Sequence, residues 1–173
     1  MPIEQYLETI LLLLVTSAAV NDLATRRIPN RLLLAGLASA LLLHLLSAHP
    51  GASFLTALGG MGVGFALFLP FYLLRGMAAG DVKMMAVIGA FIGPEDVFVV
   101  AVLSWCAGGV MAVLMVLWGG RLRLRLVLGN LGRMLSGALV PGAGIAPVGR
   151  ESAGSMPYGL AIAIGTIAFL TRH

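Results

Sequence analysis

Two aspartates stand at the ends of apolar segments in a chain that otherwise keeps charge away from such places. Asp22 lies in Ala18-Ala19-Val20-Asn21-Asp22-Leu23, and Asp81 lies in Ala79-Gly80-Asp81-Val82. A carboxylate beside hydrocarbon is costly, which makes each a functional candidate by default. Two carboxylates within hydrogen-bonding reach cannot both ionise, so they share one proton near neutral pH. One can then take a proton from water while the other gives one to a carbonyl oxygen. Such a pair would hydrolyse an amide without a metal and without a serine or cysteine nucleophile.

Other catalytic constellations are missing from the sequence. It contains no Gly-x-Ser-x-Gly elbow and no His-Glu-x-x-His metal motif. Cys106 is the single cysteine, which excludes an intramolecular disulfide and a Cys-x-x-Cys zinc site. It reads as a small packing residue with no base beside it. His44 and His49 fall in a different connection from the aspartates, and His173 is terminal. No cofactor and no metal site are expected.

The elements that must position the aspartates are membrane helices. Hydrophobic residues make up 60% of the 173 residues and charged residues 10%, against about 25% charged in soluble domains. The apolar stretches are continuous and do not alternate, which argues against a β-barrel. The fold class expected is all-α, a polytopic helix bundle forming one domain over 1–173. Candidate spans are 5–21, 32–46, 54–74, 82–92, 97–118 and 157–171. The first follows Glu4 and Glu8, lacks the basic n-region of a cleaved signal, and reads as a retained span. The fourth and sixth are shorter than the usual lower limit of about 17 residues, so hydropathy alone allows four to six spans.

Charge placement selects six. Arg26, Arg27 and Arg31 lie in the first connection, Arg75 and Lys83 in the third, and Arg121, Arg123, Arg125, Arg133 and Arg150 in the fifth. The second connection has no Lys or Arg, and the fourth, Gly93-Pro94-Glu95-Asp96, is acidic. Basic loops mark the cytoplasmic side. About six spans with the N-terminus outside follow, and both aspartates fall on the cytoplasmic face of a multi-pass inner-membrane protein. The formal charge of +4 therefore reads as a topology signal and not as nucleic-acid binding.

Several local features bear on how the site is built. A short fourth span opening at Asp81 implies a recess there, since irregular backbone at that depth is tolerated only against protein or a water-filled cavity. An ordinary helix-capping aspartate is the competing reading. Gly60 and Gly64 form a small-xxx-small pair suited to close helix packing, and Pro70 would kink the same span. The connection at about 119–156 is expected to be a cytoplasmic interfacial loop. Leu124, Leu128, Leu131 and Leu135 recur there at helical spacing among arginines that suit anionic lipid headgroups, or serve topology alone. Pro141 to Gly144 and Gly149 to Ser155 read as loop.

Three motifs resemble those of the type IV prepilin peptidases. Asp22 followed by Arg26-Arg27-Ile28-Pro29-Asn30 looks like the family's first active-site motif. Gly76-Met77-Ala78-Ala79-Gly80-Asp81-Val82-Lys83 resembles its Gly-x-Gly-Asp motif, and Met156-Pro157-Tyr158-Gly159 looks like the Pro-Tyr-Gly segment opening its last helix. Order and spacing are kept across nearly the whole chain. The length resembles the short branch serving Flp/Tad-type (type IVb) pili, or the related archaeal preflagellin peptidases. The long branch carries paired Cys-x-x-Cys motifs and methylates its product, and a single cysteine gives no basis for inferring methylation here.

The resemblance implies a membrane aspartyl endopeptidase with Asp22 and Asp81 as catalytic residues. It would remove the basic leader of prepilin or pseudopilin precursors at the cytoplasmic boundary, with membrane lipids as the other partners. The leader would lie near Asp22, Asp81 and Glu151. Gly80, Lys83, Pro29, Asn30 and Tyr158 are the supporting motif residues. Lys83 reads either as a snorkelling positive-inside residue or as an electrostatic partner of the aspartates. Pro29 and Asn30 read as a turn and a helix start. Tyr158 would hydrogen-bond near the site or anchor at the interface. One position departs from the family pattern: Ala78 stands where the first glycine of Gly-x-Gly-Asp is usual. That departure motivates an alternative, an impaired relative that binds prepilins or serves as an assembly scaffold. A third reading, a small transporter, is disfavoured because both aspartates fall on one side and not at the midplane.

Overall fold

A chain segment in hydrocarbon must satisfy its own backbone N–H and C=O groups, and a helix does so residue by residue. The computed structural model describes residues 3–74, 76–139 and 157–172, with the backbone alone at 116 and 119–139. They form six helices: α1 (Ile3–Thr25), α2 (Asn30–Leu45), α3 (Pro50–Leu73), α4 (Ala79–Ile92), α5 (Pro94–Leu139) and α6 (Tyr158–Leu170). No strand occurs among the described residues, so the fold is all-α as expected. Three helical stretches are long and apolar enough to cross a membrane: Ile3–Thr25, Pro50–Leu73 and Pro94–Met115. The chain is a membrane protein. Helices α2 and α6 are apolar but shorter. At 14 residues, α4 is about 21 Å long, less than the roughly 30 Å of the hydrocarbon layer.

The chain divides into two compact units, Met1–Gly108 with Pro157–His173, and Gly109–Met156. At the centre of the first unit lies α4, which packs against α1, α2, α3 and α6. Ten of its 14 residues are buried, including Met84, Met85 and Ile88 at 0% exposure. A helix that is apolar all round finds its place inside a bundle, and this one carries Asp81 in its first turn.

Glycine brings α3 and α4 together. A Cβ built on Gly60 would run into the backbone carbonyl of Gly89, one on Gly89 into the carbonyl of Gly60, and one on Gly64 into that of Met85. The two backbones therefore touch, which no larger residue would allow. The expected Gly60 and Gly64 contact is present, and Gly89 on α4 is its counterpart. Phe68 and Phe71 of α3 flank Trp105 of α5, with ring centroids 6.0 and 5.5 Å apart. Pro70 stands inside α3, which runs on to Leu73.

Boundaries differ from the expected spans in instructive ways. The first helix continues past 21 to Thr25, so Asp22 sits within its last turn. Arg26 then adopts φ 55°, a left-handed conformation of the kind that ends helices. Backbone of the second unit is helical through Leu139. Its Leu and Arg residues are good helix formers and outweigh Gly119 and Gly120. The loop expected over 141–155, with Glu151, lies outside the described residues. Cys106 is exposed on α5, which corrects the expectation of a packing residue: it lies on the outward side of the helix.

Candidate active site

The first aspartate is placed by how α1 ends. Asp22 is 7% exposed. Its carbonyl accepts the Arg26 N–H at 2.9 Å, closing the last turn. Thr25 Oγ1 donates to the Asn21 carbonyl at 2.9 Å. With Arg26 in the left-handed region the chain reverses, and Pro29 (φ −65°, ψ 126°) caps α2. The Pro29 carbonyl accepts the Leu32 and Leu33 N–H groups at 3.1 and 3.3 Å. Pro29 and Asn30 thus form the turn and helix start that their types suggest.

The second aspartate is placed by how α4 begins. Ala78 is the N-cap, with φ −81° and ψ 152°, an extended conformation open to any L-residue. Its N–H donates to Asp81 Oδ2 at 3.1 Å, and its carbonyl accepts the Asp81 N–H at 3.1 Å. Alanine has no side-chain oxygen, so only the carboxylate half of a capping box is made. Asp81 is 5% exposed. It closes the first turn of α4 as a capping aspartate does, and it is buried as well.

Two contacts join these motifs. Lys83 Nζ donates to Asn30 Oδ1 at 3.2 Å, tying the first turn of α4 to the first turn of α2. A Cβ on Gly80 would meet Ile28 Cβ at 3.4 Å, ordinary contact distance, so Ile28 covers the Gly80 backbone. Lys83 therefore acts as a strut between motifs, a role its sequence position did not suggest.

The third motif arrives from α6. The Gly159 N–H donates to Asp22 Oδ2 at 2.9 Å across 137 positions of sequence. Tyr158 opens α6 and is half-buried. A Cβ on Gly108 would lie 2.8 Å from its hydroxyl oxygen, so the ring packs on α5. Tyr158 directly precedes Gly159 in the chain and so stands beside the residue that holds Asp22. Gly159 was not singled out in the sequence. The available signal was a glycine directly after Pro-Tyr at a helix start, and a glycine announces no chemistry.

Each aspartate uses one oxygen, Oδ2, to accept a backbone N–H from the positive end of a helix, α6 for Asp22 and α4 for Asp81. Among the described residues no three His, Cys, Asp or Glu side chains gather as a metal ion would need. His44 lies at the far end of α4, its Nε2 3.0 Å from the Ala90 carbonyl. A cavity of about 310 Å³ opens at that far end too, lined by Glu4, Glu8, His44, Asp96 and Phe91 among others.

Residues 9–113 match the sequence profile of the Type IV leader peptidase family. The matched stretch includes Asp22, Pro29, Asn30, Gly80, Asp81 and Lys83 and ends before Tyr158. No curated protein and no solved structure matches the chain.

Proposed function

Because the chain belongs to the Type IV leader peptidase family, and is thereby a membrane peptidase, we propose that it is an aspartic endopeptidase. Its substrates are the precursors of type IV pilins or pseudopilins, of the Flp (type IVb) class, since the sequence holds no paired Cys-x-x-Cys motifs. The observation that carries this reading is the placement of Asp22 and Asp81. Two carboxylates from separate motifs are buried at the same end of one bundle, each held by a helix N-terminus.

The pair holds a single proton between its free oxygens. The ionised member takes a proton from water as that water attacks the scissile carbonyl carbon, and the protonated member gives its proton to the carbonyl oxygen. A tetrahedral intermediate results. Its collapse breaks the C–N bond as the carboxyl that gained the water proton gives it to the leaving amine. The carbonyl proton returns to the other aspartate, so the pair ends with the proton it began with.

Placement at the cytoplasmic leaflet rests on Arg26, Arg27 and Arg31, which follow Asp22 on the basic side of a six-span topology with the N-terminus outside. A prepilin has its basic leader on that side and an apolar helix in the bilayer, so the bond to be cut lies at the depth of the aspartates. With the carboxylates only 7% and 5% exposed, substrate entry needs the α1–α2 turn or the start of α4 to open first.

The scaffold alternative rested on Ala78. Its φ of −81° removes the argument from strain, because glycine there would gain no conformation that alanine lacks. The test is processing of a co-expressed pilin precursor by the wild type and by Asp22→Asn and Asp81→Asn. Loss of cleavage in both variants, with the proteins still inserted, supports the assignment, and unchanged processing in either rejects it.

A further inference from the structure

We propose that Gly159 is a positioning residue for Asp22, so that the N-terminus of α6 is a third working part of the active site. This rests on the reading of Asp22 as catalytic. Two independent features of one residue carry it. The Gly159 N–H holds Asp22 Oδ2 at 2.9 Å in a buried hydrogen bond. The missing side chain is equally required: a Cβ there would lie 2.9 Å from Asp22 Oδ2 and 3.1 Å from both its Cβ and its Cγ.

The geometry explains why a helix from the other end of the sequence is needed. Asp22 sits in the last turn of α1, at the negative end of that helix. A carboxylate there gets no free N–H from its own helix, since the unpaired N–H groups are all at the other end. Asp81, by contrast, is in the first turn of α4 and takes its N–H from Ala78 of the same turn. Only a second helix pointing its N-terminus at Asp22 can supply the matching donor, and α6 does so. Tyr158, one position earlier, is the first helical residue after the Pro157 cap, so Gly159 is held in regular helix geometry. Its hydrogen bond holds Oδ2 of the Asp22 carboxylate.

Catalysis by a proton-sharing pair depends on the distance between the two carboxyl groups. A displacement of about 1 Å in such a site can cost on the order of 10²-fold in rate. Ala at 159 would press on Oδ2, Cγ and Cβ of Asp22 together, so the carboxylate must give way by some tenths of an ångström.

The experiment has two arms. In the first, kcat and KM for a purified pilin precursor are measured in proteoliposomes for the wild type, Gly159→Ala and Asp22→Asn. Gly159→Ala is expected to lose about 10- to 100-fold in kcat, with KM changed by no more than about twofold because no substrate contact is removed. A wild-type kcat in Gly159→Ala, or a loss confined to KM, overturns the proposal. Full activity in Asp22→Asn would instead overturn the catalytic reading beneath it. The second arm leaves Gly159 intact and so survives a folding failure of the first. Tyr158-Gly159 is the only Tyr-Gly pair in the sequence, so ¹³C′-tyrosine with ¹⁵N-glycine labelling yields a single correlated amide signal. That proton is expected downfield in the wild type and shifted upfield in Asp22→Ala, while Asp81→Asn leaves it nearly unmoved. An amide signal indifferent to Asp22→Ala overturns the proposal.

Discussion

Gly60→Ala is the sharpest test of how α4 holds Asp81 in place. The added Cβ would meet backbone only: the Gly89 carbonyl oxygen, Gly93 C at 2.7 Å and Gly89 C at 2.8 Å. No side chain can rotate away, so the two helices must separate. Restoring ordinary contact at 3.4 Å from 2.7 Å requires a displacement of at least 3.4 − 2.7 = 0.7 Å, and the carbonyl oxygen, closer still, requires more. Overpacking of this kind typically costs about 1–3 kcal/mol. Asp81 lies eight residues from Gly89 on a helix whose rise is about 1.5 Å per residue, so the shift is transmitted over roughly 12 Å of rigid element. A movement near 1 Å at the carboxylate predicts a loss on the order of 10²-fold in kcat. The assay is cleavage of a pilin precursor in proteoliposomes, alongside thermal unfolding in detergent. Gly62→Ala is the control, since a Cβ there meets nothing within 4 Å, and it should match the wild type in both measurements. A Gly60→Ala protein with wild-type kcat would refute the claim that the α3–α4 backbone contact sets the position of Asp81.

Ala78→Gly should change kcat/KM by less than about threefold and lower stability by about 0.4–1 kcal/mol through added freedom of the unfolded chain, both read from cleavage rates and unfolding curves. Lys83→Met removes an exposed bond to Asn30 Oδ1 and should cost no more than about 1 kcal/mol, with insertion and residual cleavage retained. Chelation with EDTA should leave the cleavage rate unchanged, since the carboxylate pair needs no ion. In a Cys106→Ala background, Arg27→Cys and Gly76→Cys should react with an impermeant maleimide only from the cytoplasmic side and Ala48→Cys only from outside. Labelling of positions 27 and 76 from opposite sides would end the six-span, N-terminus-outside topology.

How much could be read in advance follows from what each residue type announces. Asp22 and Asp81 were legible because a carboxylate in an apolar run has few bland explanations, and the helices because unbroken hydrophobic stretches have one stable backbone form in lipid. Gly60 and Gly64 were legible as a pair, but their partner Gly89 was not, because spacing on one helix says nothing of which neighbour it meets. Ala78 could not be judged from sequence at all. Whether alanine there is strained depends on φ, and φ −81° is set by how the chain enters α4. The strut from Lys83 to Asn30 joins residues 53 positions apart, a separation that no local pattern encodes.

The sequence by itself determined that this is an all-helical membrane protein with two isolated acidic groups in family-like motifs. Those conclusions depend on side-chain chemistry and on the hydrocarbon environment, and both are carried by each segment alone. Only the tertiary structure decided that the negative end of α1 meets the positive end of α6, so that Gly159 becomes the partner of Asp22. A glycine acts through its N–H and through the space it leaves empty, and both acquire meaning only from the atoms that other helices bring beside it.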